Sequence, residues 1–166
     1  VTSEGHNITK SLPKQASIYT AELHAIILAF DLLSISNHSK CTIFVDSRSV
    51  LESIEAFNPE NPLVKRIQEW LTKKHSLYKV SFCWVPSHVG IEGNERADKL
   101  AKDSTKSPSP TLAIPYRDLY PYIRTYVYDK WQAQYNNGPP SKLKEIKQSI
   151  IPWKTSFQKK RRLEVV

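Results

Sequence analysis

The sequence predicts an α/β fold, a sheet flanked by helices, followed by a helical extension. Two short runs, residues 41–45 (CTIFV) and 80–85 (VSFCWV), have the length and the β-branched and aromatic content of strands. Between them, apolar residues recur at helical spacing. The resulting order is strand, helix, strand, helix, helix, strand, helix, which argues for a sheet whose ligands gather at the strand carboxyl ends.

The elements follow in order. Residues 1–16 are polar around 8–12, where a short strand or its remnant is expected between turns. Ser17 to Thr20 supply helix-start residues, and Leu23, Ile26, Ile27, Phe30 and Leu33 then repeat at i, i+3, i+4, i+7. Glu22 precedes Ile26 by four residues, on the core-facing border of that helix, where a carboxylate must be solvated, paired or bound to metal. Residues 41–45 read as a buried parallel strand ending at Asp46, and Ser47 opens a helix to about Phe57. Asn61-Pro62 is a cap with a first-turn proline before a helix bearing Leu63, Val64, Ile67, Trp70 and Leu71 on one face. The strand at 80–85 stops at Pro86, a Ser-His-Val-Gly loop follows, and a helix from Asn94 runs to about Lys102. Trp84, inside an apolar strand, is expected in the core.

Residues 1–106 are expected to form the α/β domain, 107–113 a linker around Ser107-Pro108-Ser109-Pro110, and 114–166 a basic, mostly helical extension. In that extension Tyr116 to about Tyr135 reads as a helix with Leu119, Ile123, Tyr126, Val127 and Trp131 near one stripe. Asn136-Asn137-Gly138-Pro139-Pro140 breaks it, and Lys159-Lys160-Arg161-Arg162 is a terminal basic cluster.

The net charge of +8 is uneven: residues 1–106 hold 13 Lys/Arg against 12 Asp/Glu, whereas 107–166 hold 11 against 4. The basic excess therefore belongs to the extension, as a patch for nucleic acid or an acidic partner, or as a solvated face. Cys41 and Cys83 both fall in strands without a CxxC pair and read as buried thiols. With no secretory signal region and no long apolar run, an intracellular protein of the cytoplasm or nucleus, without membrane attachment, is expected. The chain opens on Val1 and contains no methionine, so it is expected to start inside a longer protein.

Phosphodiester hydrolysis needs negative charge stabilised on the attacking and leaving oxygens, work that two hard divalent cations about 3.5–4 Å apart can do. Magnesium takes oxygen ligands and keeps several waters, so carboxylates from separate elements suffice. Glu22, Asp46 and Asp98 suit that need. Taken singly, each has an ordinary reading: Asp46 as a helix N-cap, Glu22 as a first-turn acid, and Asp98 as a partner for Lys102. Together they fall where an α/β sheet converges. A Ser-His-Asp triad of Ser87, His88 and Asp98 is rejected for want of a nucleophile elbow.

The segments TAELHAIILA (20–29), FVDSRSVL (44–51) and WVPSHVGIEGNERADKLA (84–101) together resemble a type 1 ribonuclease H domain over residues 1–106. The wording is closest to the ribonuclease H region of non-LTR retrotransposon polyproteins, in which a segment like IPYRDLYPYIRTYVYDKWQ (114–132) follows the nuclease. The resemblance implies cleavage of the RNA strand of RNA–DNA hybrids, with two Mg2+ ions (or Mn2+) held by Glu22, Asp46 and Asp98. It also implies that His88 assists proton movement or product departure. Ser47, Arg48 and Asn94, beside these carboxylates, are candidates to touch the substrate backbone. A reverse transcriptase region of the same polyprotein is the expected partner.

The family pattern begins with a strand ending in an aspartate that helps hold both metals. Here the first acidic residue is Glu4, in a polar Ser-Glu-Gly turn, and the next is Glu22. The expectation is an N-terminally truncated domain lacking its first strand, with exposed sheet edges and an incomplete site. The competing expectation is a non-catalytic nucleic-acid-binding remnant that keeps the groove and uses the basic extension. An integrase-like core would not be expected to carry Gly-Asn-Glu-Arg-Ala-Asp at residues 93–98.

Overall fold

The computed structural model describes residues 1–3, 6–36, 38–108 and 112–152, and contacts divide the chain into a unit from Val1 to Leu119 and a second from Tyr120 onward. Glu4 and Gly5 of the expected turn, Ser109-Pro110 of the linker and the Lys159–Arg162 cluster lie outside the described residues.

In the first unit two short strands, β1 (Thr2–Ser3) and β2 (His6–Asn7), pair antiparallel, and Ile8 N–H donates to the Val1 carbonyl at 3.0 Å. The strand expected over 8–12 is therefore earlier and shorter. Residues 8–12 are irregular, in keeping with a polar run that has no buried face to hold it extended.

Helix α1 (Ile18–Ile35) begins as expected at Ser17, whose hydroxyl accepts from Thr20 N–H at 3.1 Å. Asp118 completes this cap, its two oxygens accepting from Ser17 N–H and Ser17 Oγ at 2.9 Å each. Seven residues of α1 are buried, including Leu23, Ile26, Ile27 and Phe30. Its 18 residues average a hydropathy of 1.6, long and apolar enough to cross a membrane, so the expectation of no long apolar run does not hold. The helix is apolar because it carries the core: a residue such as Leu23, fully buried, stabilises by about 1.5–3 kcal/mol.

Strand β3 (Lys40–Val45) leads into α2 (Arg48–Glu55) and α3 (Pro62–Lys74). Asn61 caps α3 by accepting from Leu63 N–H at 2.8 Å, with Pro62 in the first turn, where its missing N–H costs nothing. Strand β4 (Lys79–Trp84) pairs parallel with β3, Lys40 opposite Lys79 through Val45 opposite Trp84. Helix α4 (Glu92–Ser104) follows, two residues earlier than expected, with no buried residue.

The core joins α1, Val45, Val50 and Ile54 of α2, and Leu63, Val64 and Ile67 of α3. Phe30 stacks on Trp70 with centroids 4.0 Å apart. The expectation of a strand buried on both faces is corrected. Ile43, Val80 and Phe82 pack on the core, whereas the alternate residues Thr42, Phe44, Ser81 and Cys83 are exposed. Cys83 is accordingly an exposed thiol and Cys41 a half-buried one, not the two buried thiols expected.

A 3-10 turn (Tyr116–Leu119) precedes α5 (Tyr120–Asn137), where one helix was expected from Tyr116. Pro121, lacking an N–H, fits the first turn of α5. The helix ends at Asn137, beside the predicted Gly-Pro-Pro breaker. A short α6 (Lys142–Ile146) follows, capped by Ser141. The segment beyond α6 is tied to α5 by Tyr135 Oη donating to the Lys147 carbonyl (2.8 Å) and by Gln132 bonding Gln148 and Ile150 (2.9 Å each).

Candidate functional site

Because β3 and β4 are parallel and in register, their carboxyl ends lie level, and Val85 N–H extends the ladder to the Val45 carbonyl at 3.0 Å. Asp46 and the loop that carries His88 therefore leave the sheet from one edge. The loop turns through two left-handed residues, His88 (φ 56) and Gly90 (φ 82). Glycine takes that conformation freely, whereas a histidine pays about 1–2 kcal/mol, so the turn is held by its surroundings.

Asp46 is anchored from three sides. Its Oδ2 accepts from Ser87 Oγ at 2.9 Å and from Asn94 Nδ2 at 3.2 Å, while its backbone carbonyl accepts from Trp84 Nε1 at 3.2 Å. Both side-chain bonds use Oδ2, and neither uses Oδ1. Trp84 is about half exposed (52 %), against the expectation of a core residue. As the last residue of β4 it overhangs the strand end, and there its indole N–H finds a carbonyl.

Asp98 lies on α4 beside His88, whose Nδ1 is 3.3 Å from Asp98 Oδ2. That separation makes an ion pair when the imidazole is protonated, but it is out of alignment for a hydrogen bond. Asp98 Oδ2 is thus shielded from water without a hydrogen-bond partner. Its contact is with His88, not the Lys102 that helical spacing offered. Glu95, one turn before Asp98, joins them: ligand atoms of His88, Glu95 and Asp98 all lie within 4.8 Å of one another.

Glu22, half-buried in the first turns of α1, lies within electrostatic reach of Asp46 and Asp98. Among the described residues the close group of ligand atoms holds His88, Glu95 and Asp98, and neither Glu22 nor Asp46. Burial pushes the Glu22 pKa up, and the charges of Asp46 and then Asp98 push it further, with the Val1 ammonium opposing. A half-buried Glu22 whose proton affinity is raised by burial and by the charges of Asp46 and Asp98, together with a shielded and unpartnered Asp98 oxygen, fits a divalent cation. Its charge would offset both the repulsion and the lost solvation.

Ser47 and Arg48 stand at the start of α2, close in sequence to Asp46. Ser47 Oγ meets Ser49 Oγ at 3.2 Å, and the exposed Arg48 pairs with Glu52 at 2.8 Å. Asn94 points to Asp46 itself. Glu95 was not singled out in the sequence, and Ser87 was weighed only as a triad nucleophile, not as a donor to Asp46. The three-residue spacing of Glu95 from Asp98 is a signal that could have found one of them. The contact of Ser87 spans 41 residues and has no local signature.

Asp46 at the end of a parallel strand, beside a group of His88, Glu95 and Asp98 that could hold a metal ion, suits a class of protein that binds divalent cations. The family model described as RNase H matches residues 1–106, well over half of the chain, and the chain belongs to the ribonuclease H family. Membership supports a ribonuclease acting on RNA–DNA hybrids, a nucleic-acid substrate and the use of divalent metals.

Proposed function

We propose that this domain cleaves the RNA strand of RNA–DNA hybrids endonucleolytically, using two divalent cations, Mg2+ or Mn2+, held by Glu22, Asp46 and Asp98. The observation that carries the reading is the level carboxyl ends of the parallel strands, where Ser87 and Asn94 hold Asp46 and His88 meets Asp98, with the charges of Asp46 and Asp98 both acting on Glu22 of α1. When bound, the metals neutralise charge that develops on the phosphodiester oxygens and lower the pKa of a water. Ser87 and Asn94 hold Asp46 in one rotamer by occupying Oδ2, which frees Oδ1 to face a ligand. His88, exposed on its loop, takes up or releases a proton at Nδ1 as product departs, with Asp98 stabilising the charged ring. Ser47 and the exposed Arg48 guanidinium contact the substrate backbone. Recognition rests on hybrid shape and the 2′-hydroxyl, so sequence preference is weak.

The domain works, in this reading, within a retrotransposon polyprotein beside a reverse transcriptase region. In this reading full activity requires one carboxylate more than Glu22, Asp46 and Asp98, supplied by a strand ending in aspartate. The test is cleavage of a labelled hybrid with Mg2+ by this chain and by one given such a strand at its amino end. Cleavage by the extended chain, lost in Asp46→Asn, is expected. Two correctly folded chains that both leave the hybrid intact would overturn the reading in favour of a binding remnant.

A further inference from the structure

We infer that the exposed face of α5 is a platform for single-stranded nucleic acid, an inference independent of the proposed cleavage. Ile123, Val127 and Trp131 stand four residues apart on α5, so they form one stripe along it, and all are at least half exposed (Trp131 60 %). No residue of this 18-residue helix is buried. Apolar surface of that extent, left open to water, marks a binding face.

Its chemistry points to the occupant. Arg124 lies over the Tyr128 ring at 5.5 Å from the centroid, and Lys130 over the Tyr126 ring at 5.6 Å. By helical geometry these two pairs flank the stripe on opposite sides. On α6, Lys144 lies over Tyr135 at 5.4 Å. Each pair sets a fixed positive charge next to a flat ring, which are the phosphate partner and the stacking surface that a single strand needs. Residues 120–152 hold five Lys/Arg against Asp129 and Glu145, so the field over the face favours a polyanion. A protein partner would instead meet charge-depleted surface around the apolar centre, and paired bases in a duplex could not stack on Trp131.

The full chain is titrated into fluorescently labelled dT20 while anisotropy is followed, with circular dichroism to verify the helix. Trp131→Ala weakens dT20 binding roughly 5- to 100-fold, the loss expected for one stacked base, while Trp131→Phe retains most of it. Lys130→Gln and Arg124→Gln each reduce the slope of log affinity against log salt by about 0.7. A 20-base-pair DNA duplex binds with an affinity that Trp131→Ala leaves unchanged. Unaltered dT20 binding by a helical Trp131→Ala variant overturns the proposal. So does sedimentation showing self-association that this variant abolishes without changing dT20 affinity, since the stripe would then serve a second copy of the chain.

Discussion

The bond between Asn94 and Asp46 offers the sharpest test of the site. Replacing Asn94 with alanine removes one of the two donors to Asp46 Oδ2. A hydrogen bond to a charged group contributes about 1.5–3 kcal/mol. This one is 3.2 Å long and only partly buried, so a contribution near about 1.5 kcal/mol is expected. Alanine is a better helix former than asparagine by a few tenths of a kcal/mol, and residue 94 lies in the first turn of α4, so a single substitution understates the bond. A double-mutant cycle cancels that difference. Asn94→Ala is made in the native chain and in Asp46→Ala, and urea unfolding is measured in both. The expected coupling is about 1–1.5 kcal/mol, equivalent to roughly 4–6 °C in Tm for a unit of this size. In parallel, if Asp46 binds metal as proposed, calorimetric titration with Mn2+ should show affinity about 10- to 100-fold weaker in Asn94→Ala, because that carboxylate loses its orienting partner. An Asn94→Ala cost that is equal in both backgrounds, with unchanged Mn2+ affinity, would refute the claim that Asn94 positions Asp46.

Three further outcomes follow from the same geometry. Glu22 has a folded pKa raised above its ordinary value of 4.5, so its contribution to stability is present below that value and lost as pH rises through the folded pKa. Unliganded Glu22→Gln should therefore melt above the native chain at pH 7, with a gap that widens from pH 4.5 upward; a variant that melts lower at pH 7 contradicts this. His24 is buried with Nε2 unpartnered, and its pKa is lowered by burial, with Lys10 and Arg66 adding to the effect. Its contribution is present above the ordinary value of 6.5 and lost as pH falls through the lowered folded pKa, so His24→Leu should flatten the melting profile on the acid side. Phe30→Ala, at a site 2 % exposed and stacked on Trp70, should cost about 3–5 kcal/mol in denaturant unfolding; a loss under about 1 kcal/mol would mean the core lies elsewhere.

Much of the fold is local, and what is local was legible in the chain. The Ser17 and Asn61 caps, the first-turn Pro62, the i, i+4 stripe of α1 and the two apolar runs that became β3 and β4 each depend on neighbours within a few residues. Glu22, Asp46 and Asp98 are candidates in the chain because one borders the apolar face of a helix, one ends a strand and one lies on the helix after the His loop. What a side chain meets across the fold was decided by tertiary structure. Trp84 reads as core in a run of apolar residues, yet it overhangs the strand end and donates to the Asp46 carbonyl. Phe44 and Cys83 are exposed because helices cover one face of the sheet, a fact that alternation in a six-residue strand cannot reveal. Asn94 and Ser87 turn toward Asp46 from 48 and 41 residues away, and Asp118 caps α1 from 101. Periodicity and capping act over one or two turns of chain, whereas these contacts exist only once parallel pairing brings two strand ends level. The sequence alone therefore specifies which elements form and which acids are candidates for a site, and the packed fold alone specifies which groups those acids meet.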